Sequence, residues 1–195
     1  QLAESATGKT QKRLFEEAVA AYKDALRIYT LDSTPLEYAL TQSNLGHAMG
    51  DHAELLTGEE KKEKLQEAVA AYREALKILT LEAVPEDYAM TQTNLGHAME
   101  DQANLLSGEE KERKLDEAIA AYREALLVRT FESAPAYYAM TQNNLGDAYA
   151  LQAALISGEE KKQKLAMAEK AYIEALRVYT ETEYPERRRK LLQKT

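Results

Sequence analysis

The 195-residue chain contains no cysteine. Disulfides and thiol nucleophiles are therefore excluded, and so is any zinc site built on cysteine. No run approaches the ~18 consecutive apolar residues of a membrane span, and no basic-then-apolar segment opens the chain. Histidine is scarce, with three residues in all. Positive charge is short too: 25 Lys and Arg face 33 Asp and Glu, a net charge of −8. Such a chain suits neither nucleic acid nor an anionic membrane, both of which attract basic patches. The expected setting is the cytoplasm, with no nucleic-acid and no membrane partner. The charge is uneven. Residues 183–195 carry +3, from Arg187, Arg188, Arg189, Lys190 and Lys194 against Glu183 and Glu186. Hydrophobic residues make up 45%, enough for a packed core rather than a disordered chain. Gln1 is not a natural first residue, so the chain is expected to be a piece of a larger protein.

Only four prolines occur, and their spacing organises the sequence. Pro35, Pro85, Pro135 and Pro185 stand 50 residues apart, as do Gly8, Gly58, Gly108 and Gly158, and Tyr22, Tyr72, Tyr122 and Tyr172. Residues 58–107 match residues 108–157 at 31 of 50 positions without a gap. The chain is one repeat domain over 1–195, with units 8–57, 58–107 and 108–157 and a partial unit 158–195.

Each unit predicts two helices. In the third, Leu115, Ala118, Ile119, Tyr122, Ala125 and Leu126 form one apolar stripe at helical spacing. Ser107 with Glu110, Thr57 with Glu60, and Ser157 with Glu160 have the spacing of a capping box, in which the hydroxyl and the carboxylate each satisfy a free N–H. The second helix of a unit begins near its proline, whose missing N–H costs nothing at a first helical position. It runs in the third unit to about residue 155. Both helices are about 20 residues, or ~30 Å, long. An unpaired first helix spans about 9–29. A single long coiled coil is excluded, because proline and glycine interrupt the pattern every ~25 residues. The expected fold is all-α: about seven long helices plus a C-terminal stub, paired as antiparallel hairpins in a solenoid.

Asn144-Leu145-Gly146-Asp147-Ala148-Tyr149 resembles the first helix of a tetratricopeptide repeat, and Ala118, Tyr122 and Ala125 resemble its second. The same residues recur at Leu45-Gly46 with Ala18, Tyr22 and Ala25, and at Leu95-Gly96 with Ala68, Tyr72 and Ala75. The usual unit is ~34 residues, whereas this one is 50. Pro85-Glu-Asp-Tyr88-Ala-Met-Thr-Gln-Thr-Asn94-Leu-Gly-His-Ala98 is similar to a long-unit subfamily of these repeats, with Tyr88 where that subfamily has Trp. The resemblance implies a right-handed superhelix whose concave groove is lined by the first helix of each pair. It also implies a scaffolding or sensing arm beside signalling modules. Carboxylate-clamping members of the family use groove lysines. Residues 35–55, 85–105 and 135–155 contain no Lys or Arg, so no such clamp is expected. Asn44, Asn94 and Asn144 are read instead as bridges to backbone between units.

The units also compare with one another. Tyr38, Thr41, Gln42, Leu45, Ala48 and Ala53 repeat along one side of the first helix, as repeated packing demands. Positions 36, 40, 43, 47, 50 and 54 form a second stripe, most of which varies. This variable stripe, with its flanking residues, is the expected groove wall. Its candidate protein-binding residues are Ser43, His47, Asp51 and Glu54, then Thr93, His97, Glu100 and Asp101, then Asn143, Asp147 and Leu151. The wall runs from acidic to more apolar, which predicts a ligand with a basic part and an apolar part.

No enzymatic chemistry is expected, and no cofactor. His47 and His52 point to different sides of a helix. His47 and His97 are placed about 10 Å apart, one helix-packing distance and too far to share a metal. Gly8-Lys9-Thr10 lacks the upstream glycine of a phosphate loop. Glu59, Glu60, Glu109 and Glu110 sit where a helix start favours negative charge. Gly46, Gly96 and Gly146 are expected to admit a close helix, with the tyrosines filling space between units. The basic stretch from Arg187 is read as a polar end cap. The leading function is a scaffold holding a protein or peptide partner in the groove. The alternative is a homo-oligomer formed through Phe15, Val19, Tyr22 and Leu26, an apolar stripe on the unpaired first helix.

Overall fold

Proline and glycine set the helix starts in the computed structural model, which describes residues 2–180 and 182–194, with side chains from residue 10 onward. Among these residues there are eight helices and no strand. They are α1 (Leu2–Ala25), α2 (Pro35–Glu54), α3 (Gly58–Ala75), α4 (Pro85–Asn104), α5 (Gly108–Ala125), α6 (Pro135–Ala153), α7 (Gly158–Leu176) and α8 (Pro185–Leu192). The all-α expectation of seven long helices and a short last one holds, and consecutive helices pack pairwise. The chain divides into two compact bodies, residues 1–102 and 103–195. In the first, α2 packs on α1 and α3; in the second, α6 packs on α5 and α7, and α8 rests on α7.

Pro35, Pro135 and Pro185 stand in the first turn of their helices, as expected. The other helix starts differ from the capping-box expectation. Thr57, Ser107 and Ser157 are N-caps with extended backbone, but none of their side chains makes a capping hydrogen bond. The residue after each is a glycine with positive φ: 61° at Gly58, 58° at Gly108 and 69° at Gly158. That left-handed step, which glycine makes without steric cost, turns the chain between hydroxyl and helix. The acidic first turn, Glu59 and Glu60 in α3, still favours the helix dipole. The first helix runs over 2–25 rather than 9–29, passing straight through Gly8.

Each unit owes part of its extra length to a nine-residue connector, 26–34, 76–84 or 126–134, and one threonine orders each. The carbonyls of Thr30, Thr80 and Thr130 accept from the N–H four residues on, at 3.0, 3.1 and 3.1 Å. Their hydroxyls accept from the N–H of Ser33, Ala83 and Ser133 at 3.2, 3.2 and 3.1 Å. Threonine competes well for such local bonds, which here shape the turn before the next proline.

Small residues draw the hairpins together. In the first body Ala39, Ala75 and Leu79 are fully buried as one cluster, flanked by Leu40, Ile78 and Val84. Leu65, Val69 and Tyr72 bury the apolar stripe of α3, and Leu115, Ile119 and Tyr122 that of α5. Each such side chain contributes about 1.5–3 kcal/mol by leaving water. Across each hairpin a tyrosine hydroxyl donates to a glutamate: Tyr38 to Glu74 at 3.2 Å, and Tyr138 to Glu174 at 2.7 Å.

Candidate functional site

Glycine 46 positions the site in the first body. A Cβ placed there would lie 2.9 Å from the Tyr72 ring, closer than packed carbons come. Gly146 stands in the same relation to Tyr172, and tighter still. The close approach expected at these glycines is therefore made by a tyrosine ring from the second helix of the pair. In the second body the hydroxyl of that ring reaches Asp147 on the variable stripe.

In the first body Tyr72 lines a cavity of about 160 Å³. Asp51, Glu54 and His47 of α2 line it, with Asn94, His97 and Asp101 of α4, over a floor of Gly50, Tyr72 and Ala98. His47 Nδ1 is 3.5 Å from Asp51 Oδ1, and His97 Nδ1 is 3.9 Å from Asp101 Oδ2. Tyr72 is only 2% exposed. Burial holds its hydroxyl well above the usual phenol range, and the Asp51 charge adds to this. Among the described residues that hydroxyl has no hydrogen-bond partner.

In the second body the equivalent place holds a lysine, at the edge of a larger hollow of about 420 Å³ that Ala150, Leu165, Tyr172 and Lys194 help to line. Tyr172 donates to Asp147 Oδ1 at 2.7 Å. The ammonium of Lys194, just beyond α8, sits 2.8 Å from both Asp147 oxygens and 3.3 Å from Asn143 Oδ1. It also lies 5.5 Å from the Tyr172 ring centroid, a cation–π distance. Lys194 stands 100 residues after Asn94, so it is the repeat image of the asparagine that borders the open cavity.

The eleven candidate groove residues thus separate into three groups. His47, Asp51, Glu54, His97 and Asp101 share the cavity. Asn143 and Asp147 meet at Lys194. Glu100 and Leu151 are half-buried beside these places without lining the cavity. Ser43 and Thr93 need correction. Both are 3% exposed and belong to the packing. Ser43 Oγ lies 2.9 Å from Thr91 Oγ1, joining α2 to α4, and the Thr93 hydroxyl donates to the Ala89 carbonyl at 2.9 Å. Ser, Thr and Asn are close enough in size to exchange within one buried slot, so variation there did not mean exposure. The asparagine bridges also differ. Asn44 is exposed, and Asn144 accepts from its neighbour Asn143 at 3.4 Å.

The stripe on α1 is partly covered. Val19 is buried, Phe15, Tyr22 and Leu26 are half-buried, and the Phe15 ring stacks on His52 of α2 at 6.4 Å. An amphipathic helix has one apolar stripe, and α1 packs part of it on the helix that follows. His52 is 5% exposed and its Nε2 is buried without a hydrogen-bond partner. At the equivalent place in the second body, Gln152 donates to Asp116 at 2.6 Å and accepts from Lys164 at 2.8 Å.

Sequence reasoning missed Tyr72, Asn94, Tyr172 and Lys194 as site residues. Lys194 had a readable signal: it is the one basic residue at the position otherwise held by Asn44, Asn94 and Asn144. Among the described residues no three His, Asp or Glu side chains converge as a metal would require, and no helix is long and apolar enough to cross a membrane. Comparison with family models, with curated proteins and with solved structures finds no match for this chain.

Proposed function

We propose that the chain is a non-catalytic protein-interaction scaffold of the tetratricopeptide type, with long 50-residue units. It holds a peptide or an extended segment of a partner protein along the variable stripe of α2 and α4. The observation that carries this reading is the acidic cavity at Tyr72, whose histidines and aspartates the third unit replaces with Asp147 and Leu151 while their surroundings repeat. Residues held by packing must recur; those free of it can be shaped by a ligand. The cavity is small, and its carboxylates Asp51 and Asp101 are half-buried. This suits recognition of one side chain of a longer ligand. Self-association through the partly exposed stripe on α1 is the second reading, with Phe15, Tyr22 and Leu26 half-buried and Val19 buried.

Selection of random displayed peptides on the immobilised chain tests the proposal. Enriched peptides are expected to lose binding to the Asp51→Lys/Asp101→Lys double variant, with its helical circular dichroism unchanged. Peptides that bind the charge-reversed chain equally well, or no enrichment at all, would remove the groove reading.

A further inference from the structure

We infer that the cavity beside Tyr72 is a receptor for the ammonium group of a lysine side chain presented by a partner peptide. The inference rests on the scaffold reading and names the chemistry its groove selects.

The two bodies supply the argument. The second body shows a lysine seated in this framework: the Lys194 ammonium lies on the Asp147 carboxylate, close to the ring of a glycine-packed tyrosine. Moving back 100 residues puts Asn94 in place of Lys194, with Tyr72 and Gly46 unchanged in role. Asparagine is shorter than lysine by two bonds and carries no charge. The first body has the 160 Å³ hollow at that place, volume for about five waters at about 30 Å³ each. The counter-charge is kept but moved. His47 replaces Asp147, while Asp51 and Asp101 bring carboxylates to the rim. Among the described residues no Lys or Arg lines the cavity.

The Tyr72 hydroxyl is the second observation. The residue is 2% exposed and lines the cavity, and its hydroxyl has no hydrogen-bond partner among the described residues, whereas its image Tyr172 is bonded to the carboxylate that holds Lys194. An incoming ammonium has three donors and no acceptor. It can give one to the Tyr72 oxygen and others to Asp51 and Asp101. An anionic ligand would instead face those carboxylates unpaired, and a neutral apolar side chain would leave the hydroxyl unpaired.

The test uses the full chain and two short peptides, acetyl-Gly-Lys-Gly-amide and its counterpart acetylated on the lysine side chain. Amide shifts of Gly50, Asn94 and Ala98 are followed by NMR. The inference expects saturable shifts with the lysine peptide and none with the acetylated one. It also expects binding weakened about tenfold or more in Asp51→Asn/Asp101→Asn, a change of about 1.4 kcal/mol. Equal shifts with both peptides, no shift with either, or unchanged binding by the double variant overturns it. The peptide pair is read on the unaltered chain, so a misfolded variant cannot decide the matter. If displayed peptides bind the groove but tolerate lysine→norleucine, the ammonium inference fails and the scaffold stands. If the lysine peptide fills the cavity but no longer peptide binds through the groove, the scaffold fails instead.

Discussion

The two bodies of this chain use one hairpin plan and finish it differently. In both, a glycine on the first helix admits a tyrosine ring from the second. In the second body the tyrosine hydroxyl, a carboxylate and a lysine close on one another at Tyr172, Asp147 and Lys194. In the first body the tyrosine stands at an open acidic hollow beside Asn94. A second difference runs the other way. Gln152 is bonded on both sides, whereas His52 at the same repeat position stacks on Phe15 with its Nε2 unpaired. Repetition therefore fixes the packing and leaves the polar groups above it free to diverge.

The shared part of the plan should give the largest effects. Gly46→Val and Gly146→Val both force side-chain atoms into a buried tyrosine ring. Each is expected to cost about 1–3 kcal/mol in chemical denaturation, as over-packing does. A loss in one body only would break the equivalence of the two sites.

The tyrosine hydroxyls should separate the bodies. Tyr172→Phe removes a bond to a carboxylate and should cost about 1.5–3 kcal/mol. Tyr72→Phe removes no bond and should leave stability unchanged or slightly raised. Equal losses in the two variants would contradict the difference described.

The His52 contrast is sharpened by pH. Burial lowers the His52 pKa below its ordinary 6.5, the Glu16 and Glu60 charges oppose this, and Lys64 and Lys12 assist it. The unfolded chain therefore takes up the proton at higher pH than the folded one. The contribution is whole above about pH 6.5 and is lost as pH falls through the folded value. His52→Gln should remove that part of the acid sensitivity, measured as the difference in unfolding midpoint between pH 7.5 and 5.5. A variant with the wild-type slope would show that His52 does not titrate as its burial implies.

The smallest effect belongs to Lys194→Met. The pair with Asp147 is about one-third exposed on each side, so its loss should cost no more than about 1 kcal/mol, less at high salt. A larger, salt-independent loss would mean the lysine stem, rather than its charge, is what matters.

Much of the fold was legible because helical packing leaves periodic marks. The prolines located helix starts, and the recurring alanines and tyrosines marked the buried stripe. The helix starts at Gly58, Gly108 and Gly158 were legible too, but not their chemistry, because a positive φ depends on backbone shape that a Ser-x-x-Glu spacing does not encode. The site was legible in part. Variation at 47, 51, 54, 97 and 101 located the cavity wall. At 43 and 93 the same signal misled, since small polar residues replace one another in a buried slot. The sequence showed that Phe15 and Val19 share a face, but not that Phe15 stacks on His52, because it does not say which neighbour lies against a face. Lys194 went unread because its partner lies 47 residues away on another helix.

The most direct test of the account copies one body's arrangement into the other by the substitution Asn94→Lys. If the hollow beside Tyr72 is a lysine receptor, the new side chain should occupy it from within, as Lys194 does at Asp147. Shifts at Gly50 and Ala98 on adding acetyl-Gly-Lys-Gly-amide should then disappear, with the unfolding midpoint unchanged or raised. A variant that folds and still binds the lysine peptide with wild-type affinity would contradict the account.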